Sequence, residues 1–186
     1  MKKVIYSEYK GKYDEHIKEK MAKAPESIDV ETMRANLYGY TFTKEYADGE
    51  IPDELSMDYW EERHEEIDFE NLNLEDDILD NPDFLLKNVD DSPYYDVSPQ
   101  EKLLLEAIDS TGDGKTPETA LCVIDVHQEY EYIQRVVRLS LLRFVRQSVR
   151  KGIDCLELED YNSCIEKVYF NISRRFEVGY PIQADK

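Results

Sequence analysis

Residues 142–172 read LRFVRQSVRKGIDCLELEDYNSCIEKVYFNI. Within them Leu142–Val149, Ile153–Leu158 and Ile165–Ile172 are strand-length runs rich in β-formers, separated by Lys151-Gly152 and by Asp160-Tyr161-Asn162-Ser163. Such runs with short turn-forming spacers predict an antiparallel meander. Upstream, the turn-rich stretch Ser110–Pro117 precedes the compact apolar run Ala120–Val126, which predicts a strand buried on both faces. Asp125 with Gln128 three residues on resembles a capping box, and Tyr130, Ile133 and Val137 place one apolar stripe on the helix that follows. Ser98-Pro99-Gln100-Glu101 is a capping box with proline at N1, opening a helix expected to run to about Asp109.

The N-terminal part reads as short helices. Ile17 and Met21 lie four apart, and Val30, Met33 and Leu37 recur at helical spacing before Gly39, which suits a C′ position. Asp53 is expected to cap a helix bearing Leu55, Tyr59 and the only tryptophan, Trp60, whose other positions, Glu54, Asp58, Glu61, Glu62, Glu65 and Glu66, form a strongly acidic face. Asn81-Pro82 before Phe84, Leu85 and Leu86 is a further helix start. The expected fold is α+β, a helical N-terminal part packed on a C-terminal strand, helix and antiparallel meander. An acidic, mainly helical region occupies 1–97 and an α+β domain 98–186, with one compact unit as the alternative.

The 186 residues are 41% apolar, enough for a sizeable core, and carry 42 acids against 23 Lys and Arg for a net charge of −19. Residues 46–110 hold 22 of those acids and three bases, so this segment accounts for the whole excess. Nucleic acid and anionic membranes would be repelled, and neither is an expected partner. Residues 134–152 form the counterpart, with Arg135, Arg138, Arg143, Arg146, Arg150 and Lys151 and no acid. Pairing between the two stretches is one expectation, a free acidic surface the other. Cys122, Cys155 and Cys164 show no C-x-x-C spacing, the N-terminus lacks an apolar signal core, and no run approaches the ~18 residues of a membrane span. A cytoplasmic setting is therefore expected.

Motifs that carry chemistry are incomplete. Asp109-Ser110-Thr111-Gly112-Asp113-Gly114 starts like a calcium loop, but Pro117 and Ala120 stand where the later ligands should be. Gly114-Lys115-Thr116 ends like a phosphate loop without its first glycine or preceding strand. Glu61-Glu62-Arg63-His64 contains one Glu-x-x-His where a di-iron site needs two. His16, His64 and His127 sit in no nucleophile signature, although His127 follows a strand end, where active residues gather in α/β folds. No catalytic residue, metal site or cofactor is indicated. Fourteen tyrosines, among them Tyr38, Tyr40, Tyr46, Tyr59, Tyr94, Tyr95, Tyr130 and Tyr132, are compatible with an interface as well as with a core.

Gly112-Asp113-Gly114-Lys115-Thr116-Pro117-Glu118-Thr119-Ala120, then Glu129-Tyr130, then Val168-Tyr169-Phe170-Asn171-Ile172-Ser173, resemble a family known from gut-bacterial chains, domain of unknown function 4919. Leu37-Tyr38-Gly39-Tyr40-Thr41-Phe42 is similar to an upstream block of the same family. The blocks cover about half the chain, and residues 46–96 have no counterpart in the resemblance. Relatives often carry an export signal, and the family implies no catalytic residue. Small acidic proteins of such bacteria include immunity proteins of toxin systems, an association by analogy.

The expected function is a cytoplasmic protein-binding module, an immunity-type inhibitor that uses Asp58, Tyr59, Trp60, Glu61, Glu62, Glu65 and Glu66 to cover a basic toxin or effector. Charge would steer the partner and aromatic rings would anchor it. The alternatives are an enzyme or small-ligand domain with its site at the 109–119 loop and His127, and a structural or assembly accessory that self-associates through strand edges.

Overall fold

The structure, a computed structural model, describes residues 6–63, 97–137, 143–159 and 163–179. A 3-10 turn at Tyr6–Tyr9 leads into α1 (Ile17–Lys23), α2 (Val30–Tyr40) and α3 (Lys44–Ala47). Asp29 and Thr43 cap α2 and α3 by accepting from the Thr32 and Tyr46 amides. A further helix, α4, covers 57–63. Then come α5 (Pro99–Asp109), β1 (Leu121–Cys122), α6 (Val126–Tyr132), β2 (Arg143–Arg150), β3 (Ile153–Glu159), β4 (Ile165–Asn171) and α7 (Ser173–Val178). The Ser98 capping box forms as expected: its hydroxyl accepts from the Glu101 amide, and the Glu101 carboxylate accepts from the Ser98 amide. The helix predicted at 81–86 lies outside the described residues.

Four strands form one mixed sheet in the order β1-β4-β3-β2. The meander is antiparallel throughout, with a bulge between Phe144 and Arg146, while β1 adds to β4 in parallel. The α+β expectation holds. Pleating sends Asp154, Leu156 and Leu158 of β3 to the helix-covered face, where all three are fully buried, and leaves Cys155 and Glu157 on the open face. A continuous core runs from Tyr6 through α2 and α5 to Leu156, Phe170 and Ile172.

Two local expectations are corrected. Gly39 is inside α2 and does not end it; a Cβ there would lie 2.6 Å from the Tyr13 amide nitrogen, so glycine serves the close approach of the 12–13 backbone. The strand at 120–126 shrinks to two residues because neighbouring tyrosines take its carbonyls. Tyr38 donates to Cys122 at 2.7 Å, Tyr6 to Val123 at 2.9 Å and to Asn171 at 2.6 Å, and Tyr46 to Ile124. The buried carbonyls of Cys122, Val123 and Ile124 are thus satisfied by tyrosine hydroxyls. These tyrosines are core residues, their hydroxyls held protonated well above the usual range, chiefly by burial. Tyr46→Phe removes a fully buried bond and should lower stability by about 1–3 kcal/mol, read as an unchanged slope with a lower midpoint in urea.

Candidate functional site

The acidic stretch and the basic stretch meet at Arg135. Past Tyr132 the helix α6 continues as a π-helical segment, Ile133–Val137, which carries Arg135 towards α4 and α5. Its guanidinium reaches Glu101 at 3.1 Å and Asp58 at 3.2 Å, and also bonds Glu61. Arg135 and Glu101 are nearly shut off from solvent, with 12% and 2% of their side chains exposed, whereas Asp58 and Glu61 keep 40% and 44%. One guanidinium therefore fixes the inner oxygens of two carboxylates whose outer sides face water. Burial raises the Glu61 carboxyl above its ordinary value even though Arg135 opposes that shift.

On the adjoining side, Glu131 of α6 closes the start of α4. Its Oε1 accepts from the Ser56 hydroxyl at 2.6 Å and from the Asp58 amide at 3.2 Å, so Glu131 and Ser56 do the capping that the sequence assigned to Asp53. Asp53 instead begins a 3-10 turn, Asp53–Leu55, after Pro52. His127 Nε2 lies 3.4 Å from Asp58 Oδ2 and 3.7 Å from Glu131 Oε1. These donor atoms fall within 4.8 Å of one another, close enough to share a cation. The arrangement is nevertheless closed by its own contacts, since Glu131 Oε1 already accepts two hydrogen bonds and Arg135 supplies the cation for Asp58. A cavity of about 140 Å³ beside it is lined by Asp53, Asp125, His127, Gln128 and Glu131 among others.

The expected partner-binding residues separate into three sets. Asp58, Glu61 and the exposed Glu62 lie on α4, and half-buried Tyr59 has the Arg63 guanidinium 4.9 Å from its ring centre. Trp60 is in the core, 5% exposed, its indole N–H donating to the Glu54 carbonyl at 3.1 Å, so it supports α4 from beneath. Glu54, expected on the acidic face, is also buried and pairs with Lys18 at 3.2 Å. His64, Glu65 and Glu66 lie outside the described residues. Of the basic stretch, Arg143 pairs instead across the sheet with Glu159.

The 109–119 loop is held by its own motif. Asp113 Oδ1 accepts from the Lys115 amide at 3.0 Å and from the Thr119 hydroxyl, and Thr116 and Thr119 cap the turn Pro117–Thr119 reciprocally. The Gly112 Cα approaches so closely that a Cβ would stand 2.2 Å from the Thr119 carbonyl oxygen. Pro117 and Glu118 line a groove of about 560 Å³ with Tyr6, Phe42, Lys151 and Ser173, whereas His127 lines the separate cavity of about 140 Å³, so the loop and His127 do not share a site.

Sequence reasoning missed the most buried polar pair. Glu129 of α6 and Asp154 of β3 are both 0% exposed, and both Glu129 oxygens and Asp154 Oδ1 meet no hydrogen-bond partner among the described residues. The Gln147 amide donates to Asp154 Oδ2, and the Tyr130 hydroxyl donates to Gln147 Oε1 at 2.9 Å. A signal for both acids exists in the sequence. Asp154 is in phase with Leu156 and Leu158 at period two, and Glu129 sits three and four residues before buried Tyr132 and Ile133.

The family model for the domain of unknown function DUF4919 matches residues 2–179. The chain belongs to that family. The match encloses the acidic segment 46–96, which the resemblance of the separate blocks had left out. No curated protein and no solved structure matches the chain. Among the described residues no helix is long and apolar enough to cross a membrane.

Proposed function

We propose that the protein is a cytoplasmic binding module for a basic protein, an immunity-type inhibitor whose acidic surface covers and neutralises a cationic toxin or effector. The observation that carries this is the guanidinium cluster: Arg135 holds Asp58 and Glu61 from within while nearly half of each carboxylate side chain stays in solvent. A Lys or Arg of the partner would meet carboxylates already oriented, which lowers the ordering cost of binding. Exposed Glu62 and Asp53 extend the surface, Tyr59 offers a half-buried ring, and Glu65 and Glu66 continue the acidic run in sequence. The charge excess of residues 46–110 supplies long-range steering.

The test is affinity purification of the tagged chain at low and moderate salt, with Glu62→Lys, Glu65→Lys and Glu66→Lys combined as the comparison. Glu61 is left intact because reversing it would break the Arg135 cluster. A stoichiometric basic protein, released as salt rises and bound at least tenfold more weakly by an equally stable variant, is the expected result. Equal affinity of the two proteins would exclude this surface. A small-ligand site is the second reading, favoured by the 560 Å³ groove beside Pro117 and Glu118; a metabolite retained on the purified chain and lost on Lys151→Glu would support it.

A further inference from the structure

We infer that Glu129 and Asp154 share one proton across the contact between α6 and β3, and that this proton acts as a latch holding α6 against the sheet. The two side chains are fully buried, three of their four oxygens accept nothing from the described residues, and the Asp154 carboxyl lies within hydrogen-bonding reach of Glu129. Two ionised carboxylates so placed would repel without solvent to screen them. The charged groups acting on Glu129 are both acids, Asp154 from the sheet and Asp125 from the cap of its own helix. From β2, Gln147 contributes a neutral amide to Asp154, and Tyr130 is engaged with that same glutamine. Among the described residues no cation acts on Glu129. A single proton resolves the conflict, because a protonated Glu129 donates to the Asp154 carboxylate and turns two orphan acceptors into one charge-assisted hydrogen bond.

Burial first, then Asp154 and Asp125, push the Glu129 carboxyl up to about 9. Unfolded, the group returns to the ordinary glutamate range near ~4.3. The folded state therefore binds the extra proton between these limits. Its stabilising contribution is fully present below ~4.3 and is lost progressively as pH rises towards about 9. Because α6 also carries His127 and Glu131 and leads to Arg135, release of the proton would loosen the surface described above. That regulatory link rests on the proposed partner reading; the shared proton does not.

The full chain in heavy water should show, by infrared difference spectroscopy near neutral pH, the C=O stretch of a protonated buried carboxyl that disappears in Glu129→Gln. The amide of that variant still offers a donor to Asp154 but cannot titrate. In denaturant titrations from pH 6 to 9, the wild-type folding constant should fall by up to about tenfold per unit, and the variant should lose that slope. Should Glu129→Gln fold poorly, Asp154→Asn serves through the spectrum: Glu129 still titrates there because burial alone raises it, but its C=O band should shift once the anionic acceptor is gone. Absence of the carboxyl band, equal pH slopes in wild type and Glu129→Gln, or a band unmoved by Asp154→Asn overturns the shared proton. So does a magnesium or calcium titration that stabilises only the wild type, which would assign the orphan oxygens to a metal. Partner affinity that stays constant as the band is lost with rising pH overturns the latch and leaves the partner surface standing.

Discussion

Arg135→Met lowers the stability of the chain by about 3–5 kcal/mol at neutral pH, the usual cost of removing one partner from a buried ionic cluster. Methionine retains much of the side-chain volume, so the loss reports charge and hydrogen bonding more than packing. Three carboxylates are left behind, and Glu101 is the decisive one, with 2% of its side chain exposed and no second cation in contact among the described residues. The loss should shrink on acidification. Glu61 is raised by burial even with Arg135 opposing that shift, so without the guanidinium its penalty is absent below the unfolded value near ~4.3 and grows as pH rises. Urea unfolding at pH 5 and pH 7 measures this directly. An equal loss at both values would mean that Arg135 matters for packing alone. Arg135→Lys should fall between the two, since one ammonium cannot span Asp58, Glu61 and Glu101 with the geometry of a planar fork.

The second large effect is expected at Gly112. Alanine there would put a methyl carbon 2.2 Å from the Thr119 carbonyl oxygen and 2.8 Å from that of Ala120, both backbone atoms that cannot swing aside. Thr119 O also accepts from the Asp113 and Gly114 amides, at 3.1 and 2.9 Å, and Gly114 O accepts from Tyr169 of β4 at 2.8 Å. Displacing the loop therefore strains the junction between α5, β1 and β4 together. A loss of about 3 kcal/mol is expected, at the upper end for overpacking, and the thermal midpoint should drop by several degrees. Asp113→Ala should cost far less, because its bonds to Lys115 and Thr119 lie at an exposed turn. If Gly112→Ala proves neutral, the loop is more pliable than its hydrogen bonds indicate, and a ligand role for the motif gains weight.

Much of the fold is legible in local sequence. The Ser98 capping box, the helix ending at Asp109 and the three meander strands follow from short-range rules, because caps, turns and β-rich runs act within a few residues. The site was legible only in part. Asp58 and Glu61 stood out as acids, and Arg135 as a member of a basic run, but nothing in the order of residues says that a π-helical segment brings them together. Trp60 had the same composition-level signal as a surface anchor and a core ring; its hydrogen bond to the Glu54 carbonyl decides for the core.

What the sequence by itself determined is the charge asymmetry, the element types and the loop chemistry of 109–119, all properties of neighbouring residues. Only the tertiary structure decided that β1 stops after two residues, that Glu101 and Arg135 form a buried pair, and that Glu129 meets Asp154. Each of those depends on groups far apart in the chain competing for one carbonyl, one carboxylate or one proton. Burial sets the stakes of that competition, since a polar group removed from water must find its partner wherever the fold places one.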